Sequence, residues 1–176
     1  MKSDAIVLGA ELDGLLAAVY ILERGHKVQL LSTGAGSLHY APAGIHLLGY
    51  TGPMGANLVS DPFAAMQSLG AAHPYSKLGA PVVSEALAWF QSLCNRIDCP
   101  FVLSDQNVTS LSPIGLGTPV AGHFAHQATF EALRGQAVAL VRLQRVRDLN
   151  AGLLASALGK KGVRTTVVEA PLPGRV

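Results

Sequence analysis

The sequence predicts an α/β domain with a parallel sheet, and three features of its N-terminal segment carry that prediction. Ala5–Leu8 is a continuous apolar run that ends at Gly9, which is typical of a buried parallel strand. Residues 12–24 place apolar side chains at helical spacing, and Gly25 follows as a C-terminal helix cap. Val28–Leu31 is a second apolar run. A strand, a helix and a second strand in this order form a βαβ unit.

The rest of the chain predicts further elements of both kinds. Residues 32–57 are rich in Gly, Ser, Ala and Pro, which predicts a long loop or a ligand-binding wall. Asp61 and Pro62 are a favourable helix start. The remaining predictions are a helix to about residue 69, a loop over 73–79, an amphipathic helix over 81–95, short strands over 101–104 and 108–111, a turn-rich segment over 113–122, a strand over 137–143, a helix over 148–158 and a strand over 163–169.

These elements predict one α/β domain over residues 1–176, with an inserted helical and β-hairpin subregion over 58–122. Apolar residues make up 49% and charged residues 14% of the chain, which argues against disorder. The formal net charge of +2 and the absence of a basic stripe argue against nucleic acid as a partner. A small basic cluster, Arg142, Arg145 and Arg147, is expected to be a solvated edge.

No apolar run approaches the ~18 residues that would span a bilayer, and residues 1–4 lack the layout of a signal peptide. We therefore expect no direct membrane insertion and a cytoplasmic location. Cys94 and Cys99 are separated by four residues, a spacing that fits neither C-x-x-C nor a zinc knuckle. They are expected to be reduced, structural thiols.

The turn after the first strand resembles a dinucleotide fingerprint. G-x-G-x-x-G uses its first glycine for the turn, its second for the approach of the pyrophosphate and its third for helix packing. Here the six residues are GAELDG, so Gly9 and Gly14 occupy the first and third glycine positions, and Glu11 occupies the second. Ala10 completes the turn before Glu11. The pattern predicts a phosphate-binding turn with one altered position.

Two departures from the fingerprint leave an alternative open. At ~5 Å and an effective dielectric of about 20, the Glu11 carboxylate and a phosphate charge repel by roughly 3 kcal/mol, which is about two orders of magnitude in affinity. Asp13 adds to this repulsion. The acid that usually binds the adenosine ribose is replaced by Ser32 and Thr33. The alternative is an α/β domain that keeps the turn but holds no cofactor and serves as a scaffold or partner-binding module.

Further segments resemble one known family along the whole chain. These segments are GAGSLHY at residues 34–40, IHLLG at 45–49, HPYSKLG at 73–79, the region 137–158 and PLPGR at 171–175. They are similar, in this order, to the N-terminal portion of the B subunit of the anaerobic glycerol-3-phosphate dehydrogenases. The resemblance implies a Rossmann-like FAD/NAD(P)-binding fold that is apparently truncated, because family members are considerably longer.

The same resemblance implies a flavin cofactor, FAD or FMN, and a role in electron transfer. It implies that electrons pass from glycerol 3-phosphate oxidation toward quinone, with catalytic and iron–sulfur subunits as partners and a peripheral place at the inner membrane. A homo-oligomer is also allowed, and the isolated chain is expected to be inactive. The residues expected near the cofactor are Gly9, Ala10, Glu11, Gly14, Ser32, Thr33, Gly34, Ser37, Leu38, His39 and Gly44.

The remaining candidate residues have simpler explanations. His39 is interpreted as a packed or loop-capping histidine rather than a flavin ligand, and His73 as a residue that fixes a turn. His123 and His126 could share a helical face as metal ligands, but no Cys, Asp or Glu neighbour completes a set. Trp89 and Phe90 are expected in the core. No catalytic residue is predicted.

Overall fold

The structure is a computed structural model that describes residues 2–34, 36, 44–111, 117–146 and 150–171. Residues 1, 35, 37–43, 112–116, 147–149 and 172–176 therefore lie outside the described part, together with the predictions that fall on them. The chain divides into two compact units, Met1–Pro42 and Ala43–Val176.

The first unit is the predicted βαβ unit. It consists of strand β1 (Ala5–Leu8), helix α1 (Leu12–Leu22) and strand β2 (Val28–Leu31). The two strands are parallel, which confirms the expected Rossmann-like beginning. Helix α1 ends two residues before the predicted end, and Gly25 follows with a φ of +82°, a conformation that glycine adopts without a steric cost.

The second unit contains the remaining elements. The strands are β3 (Gly44–Ile45), β4 (Tyr50–Thr51), β5 (Asn57–Leu58), β6 (Phe101–Leu111), β7 (Gly117–Phe124), β8 (Ala137–Leu143) and β9 (Arg164–Ala170). The helices are α2 (Pro62–Met66), α3 (Pro74–Leu78), α4 (Ala80–Arg96), α5 (Phe130–Leu133) and α6 (Ala151–Gly159). Within the described residues, β3, β7 and β6 form an antiparallel sheet, whereas β8 and β9 are parallel.

Helix α2 begins as predicted, but its end and the segment that follows it differ from the prediction. Asp61 caps α2 by accepting the Ala64 N–H at 2.8 Å, but α2 ends at Met66 rather than near residue 69. The predicted loop over 73–79 is wrong, because helix α3 occupies most of it. His73 Nδ1 accepts the Tyr75 N–H at 3.2 Å and so caps α3. This contact agrees with the interpretation of His73 as a local structural residue.

Two predictions about the β-sheet are wrong. The segment predicted as two strands separated by a turn is one strand, β6, with a bulge between Leu103 and Val108. Asn107 stabilises this bulge, since its Nδ2 donates to the carbonyls of Leu48 and Val59 at 3.0 and 2.9 Å. The turn-rich interpretation of residues 113–122 also fails from residue 117 onward, where β7 pairs with β6.

Two apolar clusters and an aromatic series stabilise the second unit. Phe101 lies edge-to-face against both Phe90 and Phe124, with ring centroids 5.1 Å apart in each pair. Phe90 is therefore a core residue as predicted, while Trp89 is half-buried. One cluster has Met66, Val83 and Leu87 at its centre. The other contains Phe130, Leu154, Leu158 and Val163.

The parallel strands are less buried than their apolar sequences predict. Ile6 and Leu8 of β1 are 60% and 78% exposed, and Val141 and Val168 of the β8–β9 pair are about half exposed. A parallel strand is buried when helices cover both faces of its sheet. In the part of the first unit that the structure describes, α1 is the only helix that can cover β1 and β2. Within the described residues, no helix is long and apolar enough to cross a membrane.

Candidate functional site

The candidate site is the turn that joins β1 to α1. Gly9 has a φ of +106°, which L-residues rarely adopt, and its N–H donates to the Leu31 carbonyl at 2.8 Å. This hydrogen bond extends the pairing of β1 and β2 by one residue. The chain therefore turns immediately beyond the carboxyl end of a parallel strand, where dinucleotide-binding folds place their ligands.

Gly14 allows α1 to pack closely against this turn. A Cβ atom at Gly14 would lie 2.3 Å from the Gly9 carbonyl oxygen and 3.5 Å from Val7 Cγ1. Because the closest atom belongs to the backbone, no side-chain rotation could relieve the clash. Gly14 thus has the packing role that the third glycine of the fingerprint requires.

The structure adds one residue that the sequence analysis did not select, Gly36. A Cβ atom at Gly36 would lie 2.4 Å from the Ala10 carbonyl oxygen and 3.4 Å from the Glu11 nitrogen, and the φ of Gly36 is +73°. The segment after β2 therefore approaches the glycine turn backbone to backbone. The available sequence signal was the second glycine of a short G-x-G that follows β2.

Two carboxylates flank the start of α1. Glu11 is the N-cap residue, is exposed, and forms no side-chain capping hydrogen bond. Asp13 Oδ1 accepts the N–H of Gly14 at 2.8 Å. This bond occupies one of the first-turn N–H groups that a bound phosphate could otherwise use. Both acids stabilise the positive end of the helix dipole and would repel an anionic ligand there.

The end of β2 has a local hydrogen-bonded turn at the position where the fingerprint usually has an acidic residue. The Ser32 hydroxyl donates to the Gly34 carbonyl at 2.5 Å and accepts the Gly34 N–H at 3.2 Å. Ser32, Thr33 and Gly34 are all exposed. The Ser32 side chain therefore stabilises its own turn, and an adenosine ribose would have to compete for that hydroxyl.

The other predicted cofactor residues fall into two groups. Ser37, Leu38 and His39 lie outside the described residues. Gly44 pairs with His123 between β3 and β7, and a Cβ atom at Gly44 would lie 2.9 Å from Val120 Cγ1. Gly44 consequently has a clear packing role within the second unit.

The helical face proposed for His123 and His126 does not exist. His123 lies in β7, where its Nδ1 is 3.1 Å from the Phe124 carbonyl oxygen, and His126 lies in the following turn and stacks on the Phe124 ring. In the described part of the chain, no cluster of three or more His, Cys, Asp or Glu side chains could hold a metal ion. Arg142 pairs with Glu169 across β8 and β9, with both side chains half exposed, and Arg147 lies outside the described residues.

Comparison with known proteins identifies relatives along nearly the whole chain. The probable B subunit of an anaerobic glycerol-3-phosphate dehydrogenase from Halobacterium salinarum is 32% identical over 99% of this chain and 40% of its own length. The corresponding B subunit of Yersinia enterocolitica is 32% identical over 98% of this chain and 42% of its own length. That of Aliivibrio fischeri is 27% identical over 84% of this chain. The chain therefore spans about two fifths of the first two relatives and about a third of the last. No solved structure matches it.

The backbone of the glycine turn is compatible with a bound dinucleotide. At Gly9, Gly14 and Gly36 the backbone conformation or the close backbone contacts exclude larger residues, as a phosphate-binding turn requires. The Glu11 and Asp13 carboxylates oppose an anion, and Asp13 also occupies the Gly14 N–H, whereas the glycine positions keep the backbone geometry of the fingerprint. The family model described as FAD binding domain matches residues 4–176. On this match and on the βαβ turn, the chain belongs to the FAD-binding-domain family.

Proposed function

We propose that this chain is the FAD-binding portion of an oxidoreductase component of the kind named in its relatives, the B subunit of an anaerobic glycerol-3-phosphate dehydrogenase. The observation that carries the proposal is the tight β1–α1 turn, in which Gly14 cannot bear a side chain because of the Gly9 carbonyl. Dinucleotide-binding folds place the pyrophosphate at a turn of this kind, between the first strand and the following helix. The family match and the curated relatives support the same assignment.

The chain's own residues would hold the cofactor mainly through backbone groups. Gly9, Ala10 and the first turn of α1 would approach the pyrophosphate, and Ser32 would lie nearest to the adenosine ribose at the end of β2. The Ser37–His39 segment and Gly44 remain candidates on the family resemblance. When bound, a flavin supplies the acceptance and release of electrons. The protein would contribute binding and orientation.

The geometry favours FAD over FMN. A βαβ glycine turn recognises a pyrophosphate, and the end of the second strand recognises an adenosine ribose. FMN contains neither the pyrophosphate nor the adenosine, so it would forgo both sets of contacts. We therefore expect FAD to bind at least about tenfold more tightly than FMN, a difference of about 1.4 kcal/mol.

In the assembled enzyme, the proposed role is electron transfer from glycerol 3-phosphate oxidation toward quinone. Catalytic and iron–sulfur subunits would be the partners, and contact with those subunits would give a peripheral position at the membrane. The support for this step is the name shared by the relatives. No catalytic residue is assigned to the chain itself.

The deciding experiment is a titration of the purified chain with FAD, FMN and ADP, alongside Glu11→Gly and Glu11→Gln. Glu11→Gln removes the negative charge but keeps a side chain of nearly the same size, whereas Glu11→Gly removes the charge and the side chain. If Glu11 repels the pyrophosphate, both variants should bind FAD about 5- to 100-fold more tightly, corresponding to ~1–3 kcal/mol. A matched control is Glu23→Gln, because Glu23 lies beyond the other end of α1, about 18 Å along the helix axis.

The outcomes separate the proposal from the flavin-free alternative. Micromolar FAD binding by the unmodified chain, with weaker FMN binding, would support the proposal. Binding restored only by Glu11→Gly would assign the defect to steric exclusion at that residue. If neither FAD nor ADP binds to any of the variants, the scaffold function, which Glu11 and Asp13 favour, becomes the better explanation.

A further inference from the structure

The C-terminus of α4 brings the two cysteines of the chain to adjacent positions. Helix α4 ends at Arg96, and Asp98 follows with a φ of +55°. The Asp98 N–H donates to the Asn95 carbonyl at 3.3 Å, and the Cys99 N–H donates to the Cys94 carbonyl at 3.0 Å. This pair of hydrogen bonds, around a residue in the left-handed conformation, defines a Schellman motif.

The Schellman motif normally places an apolar contact between the two residues that occupy its ends. In this chain both positions are cysteine, Cys94 inside the last helical turn and Cys99 beyond the cap. Their direct backbone hydrogen bond holds the two residues at close range. A disulfide requires α-carbons roughly 4.4–6.8 Å apart, and the hydrogen bond from the Cys99 N–H to the Cys94 carbonyl folds the chain so that the two residues approach this range.

The two thiols differ in their surroundings. Cys94 is only 4% exposed, whereas Cys99 is partly exposed, and both are free. Burial raises the pKa of the Cys94 thiol, and the nearby Cys99 raises that pKa further. Cys99 is therefore the accessible thiol, and Cys94 is the protected one.

We propose that Cys94 and Cys99 form a redox-active thiol pair that closes to a disulfide across the C-terminal cap of α4 in the presence of a low-molecular-weight disulfide such as oxidised glutathione. The Cys99 thiolate attacks one sulfur of the oxidant, forms a mixed disulfide and releases one reduced thiol. Cys94 then loses its proton and attacks Cys99 Sγ, which displaces the second thiol. Two protein thiols are oxidised, and one small disulfide is reduced to two thiols.

The disulfide would connect the end of α4 to the beginning of β6. These elements already pack through the Phe90 and Phe101 rings, and Gln91 Nε2 donates to the Phe101 carbonyl at 2.9 Å. The two cysteines thus lie beside an α4–β6 contact that is already formed in the reduced chain. The disulfide would add a covalent link to the hydrogen-bonded helix cap.

The test is incubation of the native chain with oxidised glutathione, followed by intact mass measurement and by alkylation of the remaining thiols. We expect the chain to lose two hydrogen atoms, to retain no glutathione and to resist alkylation until it is reduced. Cys94→Ser should instead accumulate one glutathione adduct on Cys99, because no resolving thiol is present. Cys99→Ser should react at least about tenfold more slowly than Cys94→Ser, since its remaining thiol is buried.

Three results would overturn the proposal: a native chain that keeps a glutathione adduct as Cys94→Ser does, a native chain that stays fully reduced, or a covalent dimer on a non-reducing gel. The measurement on the native chain is informative even if either serine variant fails to fold. A Cys94→Ala variant provides a second test of the adduct on Cys99, without a buried hydroxyl.

Discussion

Replacing Gly14 by alanine tests the packing of α1 against the glycine turn. The added Cβ would lie 2.3 Å from the Gly9 carbonyl oxygen, whereas a normal carbon–oxygen contact is roughly 3.3–3.6 Å. The helix and the turn must therefore separate by about 1 Å. Overpacking of this kind usually costs about 1–3 kcal/mol, and alanine recovers up to ~1 kcal/mol of that through its higher helix propensity.

The expected net effect is a loss of about 1–2 kcal/mol from the opening free energy of the first unit, a factor of roughly 5–30 in the open population. Hydrogen–deuterium exchange of peptides that cover β1, α1 and β2 measures this change directly. The Gly9 amide, which donates to the Leu31 carbonyl, is the most informative single probe.

Gly152→Ala is the matched control, because Gly152 lies in the first turn of another helix, α6. Its Cβ would meet only Asn150 Oδ1, at an ordinary 3.6 Å. That variant should therefore be neutral or more stable, by up to ~1 kcal/mol. The close-packing argument would be refuted if amides of the first unit exchanged in Gly14→Ala at the native rate or more slowly.

Two further predictions concern the second unit. Asn107→Ala should lower the free energy of unfolding by about 1–3 kcal/mol, because the Leu48 and Val59 carbonyls lose their shared side-chain donor; urea unfolding followed by Trp89 fluorescence measures this loss. The raised pKa of Cys94 predicts a loss of stability at alkaline pH. Its contribution to the free energy of unfolding is fully present below the ordinary thiol pKa, about 8.5. That contribution is lost as the pH rises through the higher folded pKa, because the unfolded state releases the proton first. Cys94→Ala should show a shallower decline when both proteins are unfolded in urea at several alkaline pH values under reducing conditions.

Each of these predictions has an internal comparison. Gln106→Ala changes the exposed neighbour of Asn107 and should leave the unfolding midpoint nearly unchanged. Equal losses of unfolding free energy in the two variants would show that the Asn107 hydrogen bonds have no special effect. For the alkaline series, parallel curves for the native chain and Cys94→Ala would show that the Cys94 thiol does not contribute to the pH dependence of stability.

Features that depend on neighbouring residues could be predicted from the sequence. The apolar run before Gly9, the helical spacing after it and the proline at the start of α2 all act over a few residues, and their elements were predicted within about two or three positions. The packing roles expected of Gly9 and Gly14 followed from a motif whose spacing encodes backbone geometry. The positive φ at Gly9 and the prohibitive contact at Gly14 agree with those roles.

Features that depend on distant segments were decided by the tertiary structure. β6 continues through its polar residues because Asn107 bonds to carbonyls 48 and 59 residues earlier in the chain. Gly36 became part of the candidate site because it contacts the backbone of Ala10. The sequence alone determined where the chain could turn, coil or extend, since those preferences are local. Only the folded chain decided which backbone groups meet and which apolar strand faces stay exposed, because these depend on contacts between residues far apart in sequence.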